Sequence, residues 1–167
     1  VGPKADKAKI QSASSGADAY AKIAKSQANF ISRGDKSGTH QKEMDIWKKA
    51  GVMPEGNWYI VTNDFMTASL KRANADKAYF MTDSSTWVAE KNIAPELQIL
   101  YRGDPYLVNT YDALVAPVGA TENRDIAAKF IQFVASDEGQ AIIRNYGKAQ
   151  YKEALYNDAV YAKQYVQ

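Results

Sequence analysis

The stretch Asn29-Phe30-Ile31-Ser32-Arg33-Gly34-Asp35-Lys36-Ser37-Gly38-Thr39-His40 sets an arginine, two glycines and several hydroxyls between a short apolar run and a segment of helical periodicity. Residues 29–32 are short and apolar enough for a buried strand. From Gln41 the spacing is helical, with Met44, Trp47 and Ala50 on one face and Lys42, Glu43, Lys48 and Lys49 elsewhere. The turn between them therefore delivers Ser37, Gly38 and Thr39 to a helix N-terminus. Unpaired backbone N–H groups and the positive end of the helix dipole favour an anion there, and the hydroxyls and the forked Arg33 guanidinium add donors. A plainer reading stands beside this one: Ser37 or Thr39 caps the helix, Gly34 and Gly38 make the turn, and Arg33 pairs with Asp35 in solvent. Spacing alone does not separate the two.

Working outward, residues 18–26 read as a short amphipathic helix with Tyr20, Ile23 and Ala24 inward, after a polar segment over 11–16. The helix over 39–50 is stopped by Gly51 and Pro54. Residues 58–62 are β-prone, as a strand or an extended loop. A helix over 64–75 has Asp64 placed as its cap and draws apolar faces from Phe65, Ala68 and residues 70–73. A strand over 78–81, a helix over 84–91 and a strand over 97–101 follow. Strands alternating with helices predict an α/β fold, a mostly parallel sheet flanked by helices on both faces. In such sheets ligands sit at the carboxyl ends of strands. A second turn meets that condition: Thr82-Asp83-Ser84-Ser85-Thr86 follows the strand at 78–81 and offers the hydroxyls of Ser84, Ser85 and Thr86 at another helix start. Its ordinary alternative is a capping segment with Asp83 or Ser84 as N-cap.

Composition narrows the function classes. The chain has 167 residues, 46% hydrophobic and 24% charged, enough for one domain with a real core. No run of about 18 apolar residues is present to cross a membrane as a helix. A formal charge of +2, with scattered lysines, gives no footprint for nucleic acid. The absence of cysteine removes disulfides, thiolate metal sites and cysteine catalysis together. The single histidine, His40, lies in the first turn of an exposed helix, and His40 with Glu43 offers two metal ligands one turn apart without a third. No acid/base pair of carboxylates stands out. No catalytic residue, metal or cofactor is therefore expected.

The run Ser32-Arg33-Gly34-Asp35-Lys36-Ser37-Gly38-Thr39-His40, with Trp47 in the following helix and then Gly51-Val52 and Gly56-Asn57-Trp58-Tyr59, closely resembles the extracytoplasmic tungstate-binding proteins of bacterial ABC importers, within the two-lobed periplasmic solute-binding class. Val1-Gly2-Pro3-Lys4 looks like that family's crossover strand, residues 78–86 like its second ligand-facing turn, and Gly103-Asp104-Pro105 with Asn109-Thr110-Tyr111 like the return to the first lobe. Residues 127–147 resemble its closing helices.

The resemblance implies a type II binding-protein lobe. Residues 1–108 would be the second lobe, and residues 109–167 the return strand and C-terminal helices of the first, whose N-terminal part this chain lacks. It implies a non-enzymatic periplasmic or extracytoplasmic protein that takes a tetrahedral oxyanion, tungstate or molybdate, to an ABC permease. Arg33, Ser37, Gly38, Thr39, Ser84, Ser85 and Thr86 are the expected ligand residues. Phosphate or sulfate binding, or a sensor role on the same scaffold, is the alternative. Two departures bear on the ligand: Ser84 stands where the family usually has a second arginine, and Phe65 and Thr67 are bulkier than the small residues usual around Met66. The tyrosines at 146, 151, 156, 161 and 165 are expected to pack within the protein, or to drive dimerisation where first-lobe surface is exposed.

Overall fold

The computed structural model describes residues 1–165, and the chain divides into two compact units, Val1–Asn109 and a second starting at Thr110.

The first unit is built on a parallel sheet of three short strands in the order β3-β2-β4, where β2 is Phe30–Ser32, β3 is Tyr59–Val61 and β4 is Tyr79–Phe80. Phe30, Ile31 and Ser32 stand opposite Tyr59, Ile60 and Val61 on one side, and Phe30 and Ile31 opposite Tyr79 and Phe80 on the other. Successive side chains on a strand face opposite ways, and this alternation divides the core. Phe30 and Tyr79 join Tyr20, Ile23, Ile46, Trp47 and Leu100 on one face. Ile31 and Phe80 join Met66, Leu70, Ala73, Ala78 and Leu97 on the other. Helices α1 (Gly16–Ser26) and α2 (Gly38–Lys49) supply the first layer and α3 (Met66–Ala75) the second. Both faces are covered, as a parallel sheet requires.

The sequence-based spans meet the structure with specific differences. The strand expected over 97–101 shortens to β5 (Leu97–Gln98), which pairs antiparallel with β1 (Gly2–Pro3) instead of joining the parallel sheet. Helix α3 starts at Met66 with Phe65 at its N-cap position. Asp64 does not cap it, because its carboxylate accepts from the adjacent Phe65 N–H at 2.9 Å. Phe65 itself is 79% exposed, so it supplies no core face. Met44 is also largely exposed, while Glu43, expected away from the apolar face, is buried at 3% exposure. The inward stripe of α2 therefore runs through Glu43, Ile46 and Trp47.

The second unit carries α5 (Arg124–Ala135), α6 (Asp137–Asn145), α7 (Lys148–Tyr151) and α8 (Ala159–Ala162), after α4 (Ser84–Glu90) of the first unit. Ser136 caps α6 through the Gly139 N–H at 3.2 Å, and Asp158 both caps α8 and pairs with Arg144 at 2.6 Å. Tyr146 packs on Tyr156 and Tyr161 on Tyr165, with ring centroids 5.9 and 5.2 Å apart. The return strand expected from residue 109 does not form among the described residues. A strand needs a hydrogen-bonding neighbour, and this unit offers none. Leu114, Val118, Ile126, Phe130 and Val160 are exposed.

Candidate functional site

The turn between β2 and α2 is fixed by its own polar atoms. The Asp35 carboxylate accepts the Ser37 N–H at 3.1 Å and pairs with the Arg33 guanidinium. The Ser37 hydroxyl accepts the His40 N–H at 3.3 Å, which makes Ser37 the N-cap of α2. His40 Nδ1 in turn accepts the Lys36 N–H at 3.0 Å, so the lone histidine ties the turn together. Gly34 adopts φ +67°, and a Cβ there would lie 2.2 Å from a Val61 methyl carbon, so only glycine fits. Burial alone would raise the Asp35 carboxyl, but the Ser37 hydrogen bonds and the Arg33 charge hold it below the usual carboxylate range.

The capping reading describes much of this turn. Ser37 caps, and Arg33 pairs with Asp35 as the plainer reading has it, yet the pair is not in solvent: the two side chains are only 12% and 20% exposed. The Arg33 Nε is buried with no partner. A buried guanidinium N–H left unpaired costs free energy unless something accepts from it.

The second turn is organised differently. Asp83 caps α4, accepting from the Thr86 N–H at 2.6 Å, the Thr86 hydroxyl at 2.9 Å and the Ser85 hydroxyl. The Ser85 and Thr86 hydroxyl protons are thus directed at Asp83, and Ser84 is exposed. Because β2 and β4 are adjacent, both turns emerge at the carboxyl edge of one sheet. Thr39 from the first and Thr82 and Asp83 from the second line one cavity of about 150 Å³. Arg33, Ser37, Gly38, Ser84, Ser85 and Thr86 lie outside its lining.

Below Thr39, one helical turn along α2, sits a group that sequence reasoning missed. Glu43 accepts from the Tyr59 hydroxyl at 2.7 Å and from Trp47 Nε1 at 3.2 Å. Burial pushes its carboxyl up to about 7, against the pull of those hydrogen bonds, and burial likewise raises the Tyr59 hydroxyl. Ser32, fully buried at the end of β2, faces both groups, but its hydroxyl forms no hydrogen bond of normal geometry. The available signal was the Glu43–Trp47 spacing of four, which puts both on one helix face. Asp104, in the Gly103-Asp104-Pro105 run, accepts from the Gly16 N–H at 2.7 Å and the Tyr106 N–H at 2.8 Å and so holds the N-terminus of α1. Among the described residues no cluster of three or more metal-ligating side chains occurs, and no helix is long and apolar enough to cross a membrane.

Residues 1–138 match the PBP superfamily domain. A protein of Haloferax volcanii is 41% identical over 154 residues, covering 87% of this chain and 44% of its own length. The tungstate-binding protein TupA of Peptoclostridium acidaminophilum is 36% identical over 142 residues, 83% of this chain and 49% of that protein. The crystal structure of the tungstate ABC transporter from Geobacter sulfurreducens superposes with a TM-score of 0.72 at 38% identity, over 87% of this chain and 62% of that one. The chain thus spans about half the length of the curated relatives it matches.

Proposed function

Because this chain belongs to the PBP superfamily, we propose that it is part of an extracytoplasmic binding protein that captures a tetrahedral oxyanion, tungstate first and molybdate next, and presents it to an ABC permease. The role is carriage, not catalysis. In this reading the first unit is the second lobe of a two-lobed protein, and the second unit completes a first lobe whose remainder lies outside this sequence. Sequence similarity to proteins named for tungstate binding supports the choice of anion.

The observation that carries the proposal is the Arg33 guanidinium, held by Asp35 at the mouth of α2 with its buried Nε unpaired. The Ser37 hydroxyl proton, the Gly38 and Thr39 backbone N–H groups and the Thr39 hydroxyl supply further donors around the same helix start. Ser84, Ser85 and Thr86 join them as neutral donors once the two hydroxyls directed at Asp83 turn outward. Both carboxylates near the turns, Asp35 and Asp83, already accept several hydrogen bonds. With Asp35 held by Arg33 and Ser37, and Asp83 still held by the Thr86 N–H, donors outnumber open acceptors, which favours a fully ionised oxyanion over hydrogen phosphate, which carries a proton and needs an acceptor.

Isothermal titration of the full encoded protein with tungstate, molybdate, sulfate and phosphate, repeated on Arg33→Ala, tests this. Tight binding of tungstate or molybdate is expected, with a loss of at least about tenfold in the variant, the worth of one charged hydrogen bond. Binding of none of the four, or binding indifferent to Arg33, overturns it.

A further inference from the structure

Between α1 and the Phe30–Tyr79 face of the sheet lies the partly open cavity of about 150 Å³ whose rim includes Thr39. Its walls are mostly carbon, from Tyr20, Ile23, Phe30 and Met81 among others. Protein interiors are packed to the density of organic crystals, with few voids larger than a water molecule. An apolar cavity of roughly 150 Å³ holds one benzene-sized body.

Among the lining side chains, the donors of Tyr20, Thr39 and Lys42 meet no strong acceptor. The hydroxyl of buried Tyr20 donates only to the Met81 thioether at 3.3 Å, and sulfur is a weak acceptor. The Lys42 ammonium lies 4.9 Å from the centre of the Tyr106 ring and pairs with no carboxylate among the described residues. The Thr39 hydroxyl stands at the start of α2, where the helix dipole is positive. The one carboxylate of the lining, Asp83, is already occupied by its own loop. A carbon-walled space with an ammonium at its rim that no carboxylate neutralises suits a molecule with an apolar body and an anionic end.

We infer that this cavity binds a small organic anion with a single aromatic ring, of the arene carboxylate class. The ring packs against Tyr20, Ile23 and Phe30, and the carboxylate meets Thr39, Lys42 and the Tyr20 hydroxyl. The inference does not rest on the oxyanion proposal, since an inorganic oxyanion has no apolar surface to bury in this space.

The test is titration of the full encoded protein with benzoate and, separately, with benzene, followed by amide chemical shifts. Saturable benzoate binding with shifts centred on Ala19, Tyr20 and Met81 is expected. Tyr20→Phe and Lys42→Met each weaken benzoate by about tenfold and leave benzene binding unchanged. Ala19→Leu, which puts extra carbon into the lining, removes both ligands. Tyr20→Phe and Lys42→Met take no volume from the core, so they decide the matter even where Ala19→Leu fails to fold. Absence of saturable benzoate binding overturns the inference, and so does benzoate binding that neither Tyr20→Phe nor Lys42→Met weakens.

Discussion

Replacing Glu43 with glutamine should change how the stability of this protein depends on pH, in a direction and by an amount that the structure sets. The carboxyl is 3% exposed and is faced by Tyr59 from β3, Ser32 from β2, Trp47 from its own helix, Tyr20 from α1 and Asp35 from the preceding turn. Burial moves it from 4.5 to about 7. Between those values the native state holds a proton that the unfolded chain has released. Stability contributed by this group is therefore fully present below about pH 4.5, falls as pH rises through the window, and is gone above pH 7. At about 1.4 kcal/mol per pH unit, the loss is about 3 kcal/mol. Glutamine keeps an acceptor for Tyr59 and Trp47 and never ionises. The difference in unfolding free energy, Glu43→Gln minus wild type, should rise by about 3 kcal/mol from pH 4 to pH 8. Urea unfolding followed by tryptophan fluorescence at stepped pH measures it. The lowered carboxyls of Asp18 and Asp158 tilt both proteins the other way and cancel in the difference. A difference that stays flat across this range refutes the assignment of Glu43 as a buried, proton-holding carboxyl.

Two further perturbations probe the turn itself. Gly34→Ala sets a Cβ against Val61 at a φ of +67° and should cost about 1 to 3 kcal/mol in a urea melt. Ser37→Ala removes the hydroxyl that accepts the His40 N–H; a loss of about 1 kcal/mol is expected, and Ser37→Asp should restore most of it.

The strand–turn–helix at 29–50 was legible because its signals are local. An apolar triplet, a glycine forced to positive φ and a serine cap act within a few residues of one another, and β2 and α2 follow from them. What escaped was set at long range. Glu43 is buried because Tyr59, sixteen residues on, donates to it, and nothing around Glu43 in the chain announces that partner. Hydrophobicity points Met44 to the apolar face, but the helix turns Glu43, Ile46 and Trp47 to the sheet and leaves Met44 at the edge. The apolar run over 97–101 predicts a strand without showing its partner, and β1 meets it antiparallel. At the site, the proximity of Arg33 to Asp35 could be read from spacing. The direction of the Ser85 and Thr86 hydroxyls toward Asp83 could not, because a hydroxyl beside a carboxylate reads equally well as a ligand donor or as part of a cap.

On the proposed function, that last ambiguity bears on how firmly the first unit alone can hold a doubly charged anion. Asp35 neutralises Arg33 locally, so the net positive field at the first turn comes from Lys36 and from the start of α2, the latter equivalent to about half a positive charge. At the second turn the Asp83 carboxylate points its own negative charge at the start of α4 and takes up the helix N–H and two hydroxyls. An anion entering between these turns meets two carboxylates along with the donors. It gains when the guanidinium and the hydroxyls turn part of their bonding from Asp35 and Asp83 toward it, an exchange of one anion for another rather than the filling of empty donors. Such an exchange is close to neutral in energy, and net affinity must come from donors that no internal carboxylate already holds. The unpaired Arg33 Nε is one. On the proposed two-lobed architecture the others belong to the first lobe, and closure of the two lobes, which removes water and strengthens every remaining donor, is what makes binding tight.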